Sequence, residues 1–167
     1  MIIRDAYEKE LPVLRELRIN AYKEHEYKIN EDHWKVLNRQ ISLKVEMHPD
    51  VEQLVAEIDG KIVGSVVLFA PKMDAYSGLM DEEPDYPELR MLAVSPDARG
   101  KGVASALIKE CIQRAKNKGF TALGLHTADF MESAITLYSQ LGFERLPQFD
   151  FEPANDGIIV KAFRISF

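Results

Sequence analysis

"LAVSPDARGKGVASALI", Leu92 to Ile108, reads as the end of a strand, a turn and the opening of a helix. Its spacing puts Arg99, Gly100, Lys101 and Gly102 in the first helical turn. Each glycine there costs roughly 1 kcal/mol against alanine, and cations sit badly at the positive end of a helix dipole. An anion bound at the turn would offset both penalties. Glycines where strand meets helix let backbone N–H groups approach a ligand with no Cβ in the way, and unpaired N–H groups at a helix start attract negative charge. Hydrogen bonds to a charged group contribute about 1.5–3 kcal/mol each, so three or four outweigh two glycines. The other reading is a tight turn whose glycines serve packing and whose cations are solvated, and spacing alone leaves both open.

Working outward, "ELRMLAVS" (88–95) is a strand ahead of the turn, and the helix after it puts Val103, Leu107, Ile108, Cys111, Ile112 and Ala115 on one face. Asn117-Lys118-Gly119 ends that helix. "FTALGLHT" (120–127) is the next strand, and a strand-helix-strand unit implies that the two strands run parallel. Before it, Ile2-Ile3 open a strand, Leu11 to Ala21 a helix with Pro12 near its start, and Glu31 to Met47 a second helix ended by His48-Pro49. "VEQLVAEIDGKIVGSVVLFA" (51–70) is a hairpin about Asp59-Gly60. The polar, proline-bearing 71–87 stretch reads as a loop. Phe130 to Leu141 is a helix closed by Gly142, and "FERLPQFDF" and "GIIVKAFRI" are a terminal pair of strands. The order is mixed α/β, and no boundary divides the 167 residues, so one domain spans 1–167.

A net charge of −6 argues against general nucleic-acid affinity. The single cysteine, Cys111, excludes an internal disulfide framework and a cysteine-based zinc cluster. His25, His33, His48 and His126 have no metal-ligand spacing, so no metal is expected. Without a signal-peptide run or a transmembrane-length apolar stretch, the expectation is a cytoplasmic protein with no membrane partner. The turn is neither of two common phosphate loops. A G-x-x-x-x-G-K-[ST] loop fails because position 95 is Ser and Gly102 follows Lys101. A dinucleotide fingerprint matches only Gly100 and Gly102, and "ALGLHT" carries no acidic residue for a ribose.

"ELRMLAVSPDARGKGVASALI" instead resembles the coenzyme A-binding motif of the GCN5-related N-acetyltransferases. The signature appears as Arg99-x-x-Gly102-x-Ala104. The "LAVSP" strand before it and the later "AITLYSQLGFE" are equally typical, and the element order matches across nearly the whole chain. The resemblance implies a central, mostly antiparallel sheet of about seven strands, parted between the fourth and fifth and flanked by about four helices. It implies a homodimer as one assembly, with the terminal strands placed to pair between copies. It also implies acetyl-CoA as cosubstrate and direct acetyl transfer, through a tetrahedral intermediate, to a primary amine of a small molecule, peptide or protein. The alternative on the same fold is a non-catalytic acyl-CoA-binding or sensing domain.

Residue by residue, the resemblance puts the coenzyme A diphosphate on the backbone amides of Arg99, Gly100, Lys101, Gly102, Val103, Ala104 and Ser105. The pantetheine arm lies along a bulged strand at Leu92, Ala93 and Val94. Glu88 falls where some members place a basic glutamate; otherwise it is a strand-edge carboxylate, and Asp85 and Tyr86 are neighbours able to substitute. A lysine-like amine has a pKa of about 10.4, so freeing it at neutral pH costs about 4–5 kcal/mol, which is what a base would offset. Tyr138 stands where the family has the tyrosine that assists thiolate departure, although its spacing with Phe130, Ala134, Leu137 and Leu141 also suits a core residue. Met131 replaces a common asparagine, with Thr127 and Asp129 as possible substitutes. His126, Tyr22, Tyr27 and Trp34 either line the acceptor pocket or pack in the core, and the acidic "MDEEPDYPE" is either solvated surface or a pocket rim for a cationic amine.

Overall fold

The computed structural model describes residues 1–41, 48–73 and 83–167. Seven strands form one sheet: β1 (Ile2–Asp5), β2 (Val51–Ile58), β3 (Lys61–Phe69), β4 (Glu88–Val94), β5 (Ala122–Ala128), β6 (Glu144–Arg145) and β7 (Val160–Ser166). Their order across the sheet is β1-β2-β3-β4-β5-β7-β6. Among the described residues, only β4 and β5 are parallel neighbours. The helices are α1 (Leu11–Tyr22), α2 (Glu31–Ile41), α3 (Val103–Asn117) and α4 (Glu132–Gln140).

The hairpin predicted at Asp59-Gly60 joins β2 to β3, with φ of 51° and 77° at the two residues, the mirror-image turn that strand twist favours. Of the stripe read from its spacing, α3 buries Val103, Leu107, Ile108, Cys111 and Ala115 and leaves Ile112 half-buried. A large aliphatic side chain taken fully from water contributes about 1.5–3 kcal/mol. α3 therefore docks firmly on the face formed by Leu54, Val66, Leu68, Leu89, Leu123 and Leu125. α1 covers the other face, where Leu14 packs with Ala6 and Val55. No helix among the described residues is long and apolar enough to cross a membrane.

Several expected bounds shift. The two glycines and two cations do not occupy the first turn of α3. The helix begins at Val103 with Gly102 as its cap, because both glycines adopt positive φ and a right-handed helix cannot hold them. α2 is described to Ile41, and the rest of its expected span, 42–47, lies outside the described residues. α4 starts at Glu132 rather than Phe130, after a cap at Met131 whose backbone is not helical. The first terminal strand shrinks to Glu144–Arg145, since Pro147 starts a short 3₁₀ turn that leaves only one bridge, Phe151 to Val160, further on. Much of the expected 71–87 loop, residues 74–82, is also outside the described residues.

Gly64 of β3 sets how closely α3 approaches the sheet. A Cβ there would lie 2.7 Å from Val103 Cγ1, 3.2 Å from Leu107 Cδ1 and 3.2 Å from the Ala93 carbonyl oxygen. Gly64→Ala is therefore expected to destabilise the fold by about 1–3 kcal/mol, as overpacked cores do, read as a lowered midpoint in denaturant. An unchanged midpoint would show that this contact is soft.

Candidate functional site

β4 and β5 pair for two residues only, Glu88 with Gly124 and Leu89 with Leu125, and then part. The cause lies in β4. Its register against β3 slips between Ser65 and Val67, and Met91 takes φ of 54°, a conformation costly for any residue but glycine. The bulge thus falls at Met91, at the leading edge of the stretch expected from the sequence. Beyond it, a cavity of about 710 Å³ opens between the strands, lined by Leu92, Ala93 and Val94 on one side and His126, Thr127 and Ala128 on the other.

The cavity extends to the start of α3, where Arg99, Gly100, Gly102, Val103, Ala104 and Ser105 line it. Lys101 is exposed and outside the lining. A Cβ on Gly100 or Gly102 would meet nothing within 4 Å, and their φ values are 73° and 77°. Packing therefore does not explain these glycines; their positive φ does, and it leaves the space beside the turn open. No side chain among the described residues caps α3. Its first N–H groups, joined to the dipole of a fifteen-residue helix, form a cradle suited to a phosphate. The Arg99 guanidinium bonds Glu24 Oε2 at 2.5 Å and the Ala21 carbonyl at 3.2 Å, and all three residues line the cavity beside the backbone of the turn.

Tyr138 of α4 lines the cavity and is 5% exposed, its ring 5.9 Å from that of Phe143 and 6.3 Å from that of Phe163. It is both a core residue and a wall residue. Burial, with Tyr22 nearby, pushes its phenol far above the usual value, so it keeps its proton at neutral pH. Tyr22, half-buried in the same wall, has its phenol pushed up to about 12 by desolvation and donates to the Leu92 carbonyl at 3.0 Å.

Glu88 does not reach the cavity lining. Its carboxylate meets Arg90 Nη2 at 3.1 Å and His126 Nδ1 at 3.1 Å. Burial raises its pKa, but the bonds to His126 and Arg90 outweigh burial and hold it below the ordinary carboxylate range. His126 does line the cavity, and its Nε2 lies 3.0 Å from the Phe149 carbonyl. Asp85 and Tyr86 lie off the lining too, the Tyr86 ring filling the space where a Cβ of Gly124 would stand.

The remaining wall comes from residues whose roles the sequence did not single out. His33 binds Asp156 Oδ2 through Nδ1 at 2.8 Å, and the Phe130 ring lies between His25 at 5.5 Å and His33 at 6.0 Å. Val36, Leu37 and Ile41 of α2 and Phe151 add apolar surface. Tyr27 is 81% exposed, and Trp34 is not in the wall. Thr127 Oγ1 contacts Met131 Sδ at 3.5 Å within the wall, while Asp129 is tied to the Ile159 amide and lies outside it. No cluster of three or more His, Cys, Asp or Glu residues among those described is arranged to hold a metal ion.

Residues 6–143 match the model of the acetyltransferase (GNAT) family. The chain is 36% identical over 95 residues to "Probable N-acetyltransferase family 8 member 5" of Mus musculus, covering 54% of this chain and 37% of that protein. It is 34% identical over 92 residues to "Uncharacterized N-acetyltransferase YjgM" of Escherichia coli, covering 55% and 50%. The chain thus spans half or less of these relatives' length. Among solved structures, the PaiA N-acetyltransferase of Thermoplasma acidophilum, in complex with coenzyme A, superposes with a TM-score of 0.72 at 17% identity, covering 99% of this chain and 98% of that one. The ribosomal-protein-alanine N-acetyltransferase of Brucella melitensis gives 0.68 at 22% identity over all of both chains. At those identities the likeness concerns the fold. With the family model running through the parted strands and the glycine turn alike, this chain belongs to the acetyltransferase (GNAT) family.

Proposed function

We propose that this protein is an acetyl-CoA-dependent N-acetyltransferase that acts on a primary amine of a small molecule, peptide or protein. The observation that carries the reading is the junction of two features: a sheet that parts after two residue pairs, and an uncapped helix start at one end of the gap. The first offers free strand backbone to an extended arm, and the second offers amides to a diphosphate. A ligand with both parts, and a thioester at its far end, fits that shape. When bound, it supplies an activated acetyl group.

The chain's own residues divide the remaining work. The amides of Arg99 to Ser105 would hold the diphosphate, and the backbone of Leu92, Ala93 and Val94 would align the arm. A free amine forms the new C–N bond as the C–S bond breaks, so a proton must leave nitrogen and one must be offered to sulfur. We assign that offer, by hydrogen bonding, to Tyr138, a protonated phenol in the cavity wall. Complete transfer is not required of it. A phenol near pKa 10 is already a weaker acid than a thiol near 8.5, a gap of about 2 kcal/mol, and burial widens that gap. Glu88 acts on the cavity through His126 rather than by touching the amine, holding that ring against the gap. The competing reading, an acyl-CoA sensor without turnover, draws its support from the engagement of Glu88 by Arg90 and His126.

Acetyl-CoA-dependent thermal stabilisation, followed by thiol release across a panel of amines, tests the proposal; stabilisation without thiol release favours the sensor. Tyr138→Phe is expected to lower kcat about a hundredfold, within the range of acid–base groups, while sparing coenzyme A binding. Equal loss of both would assign Tyr138 to packing. Glu88→Gln should lower turnover more at pH 7 than at pH 9, where roughly a hundredfold more of the amine is already free; a uniform or absent loss would remove the Glu88–His126 pair from proton transfer. Gly102→Val forces a β-branched residue to a φ of 77° and puts side-chain atoms into the cradle. It should weaken coenzyme A binding at least tenfold by calorimetry, and wild-type affinity would argue against the diphosphate site.

A further inference from the structure

Arg18 of α1 is 2% exposed, and the division of labour above gives it no task. Its Nε donates to the Leu14 carbonyl at 3.2 Å, Nη1 to Met91 Sδ at 3.1 Å and Nη2 to Gln53 Oε1 at 3.4 Å. All three acceptors are neutral. Among the described residues, the ionisable groups that act on it are Tyr22 and Arg15, and no carboxylate is among these. A buried charge without an opposite partner is among the costlier arrangements a folded chain can hold, and an apolar residue of similar volume is often at least as stable. Hydrogen bonds to three neutral acceptors use the guanidinium's fork of donors but leave its charge without an opposite partner among the described residues.

The location suggests what the charge faces. Arg18 contacts Met91, the residue with φ of 54° where β4 bulges. Tyr22, one helical turn beyond Arg18, donates to the Leu92 carbonyl. Helix α1 therefore grips both residues of the bulge, one through the guanidinium and one through the phenol. Met91, Leu92 and Tyr22 line the cavity, whereas Arg18 does not. The cation stands one side-chain layer behind the wall, too deep to touch a ligand and near enough to act on it electrostatically.

The geometry points to Arg18 as a positioning residue for acyl transfer, a buried cation whose field, acting across the Met91–Leu92 bulge, favours the negative charge that develops on the acyl oxygen in the gap. This inference rests on the acetyltransferase reading. A unit charge roughly 8 Å away, at an effective dielectric of about 20, alters a rate by about thirtyfold. The arrangement is preorganised, because α1 fixes the guanidinium before any ligand arrives.

The test compares wild type, Arg18→Met, Arg18→Gln and Arg18→Lys by the melting temperature of the unliganded protein, the stabilisation by coenzyme A, kcat and the KM for acetyl-CoA. Arg18→Met is expected to keep or raise the melting temperature and to keep the coenzyme A stabilisation. Its kcat should fall about thirtyfold with little change in KM, and Arg18→Lys should recover most of the loss. If Arg18→Met does not fold, the comparison of Arg18→Gln with Arg18→Lys decides, since the first lacks the charge and the second retains it. Neutral variants with wild-type kcat overturn the inference, as does a loss of kcat that follows a fall in melting temperature and is not restored by lysine. A wild type that binds coenzyme A but releases no thiol with any amine overturns the acetyltransferase reading, and this inference falls with it.

Discussion

The structure depends on an interrupted strand pairing. Parallel neighbours gain hydrogen bonds along their whole length, so β4 and β5 would close together unless something prevented it. The bulge at Met91 prevents it, re-aiming the strand after Leu89 and leaving β4 backbone without β5 as a partner. A left-handed methionine is strained, and it persists because its surroundings determine it: β3 slips register opposite, and α1 holds Met91 and Leu92 from the other face. Fold and site are therefore one construction. The same bulge that costs sheet stability creates the cavity.

The second constraint is the entry to α3. A helix start lacks partners for its first amides, and most helices supply a side-chain cap. Here Gly102 is the cap residue, with no side chain to offer, so the amides face the cavity. The stripe from Val103 to Ala115 anchors the helix body and leaves its first turn free for a ligand. Gly64 sharpens the arrangement by letting Val103 sit against β3.

Much of this was legible in the sequence, for reasons that can be named. The α3 stripe, the Asp59-Gly60 turn and the glycine pair are local signals, with period, turn chemistry and backbone freedom all contained in a few residues. The parting of β4 from β5 was legible only through family resemblance, because no residue in "ELRMLAV" announces a bulge at methionine. The pairings of Glu88 with His126, His33 with Asp156 and Tyr22 with the Leu92 carbonyl join residues 38 to 123 positions apart, and periodicity carries no information at that range. Arg18 illustrates the same limit. It stands four residues after Leu14 and four before Tyr22, a buried position by helical spacing, but composition reads an arginine as surface. Its neutral partners are visible only in three dimensions.

The central claim is that the backbone amides at the start of α3 and along the bulged β4 form one continuous binding surface for coenzyme A. Residue-resolved amide chemical shifts, followed while coenzyme A is titrated into uniformly nitrogen-15-labelled protein, test it most directly. The account predicts the largest changes at Gly100 to Ser105 and at Leu92 to Val94, saturating together with one affinity. Saturating coenzyme A that left both segments unmoved, or shifted only residues remote from the parted strands, would contradict it.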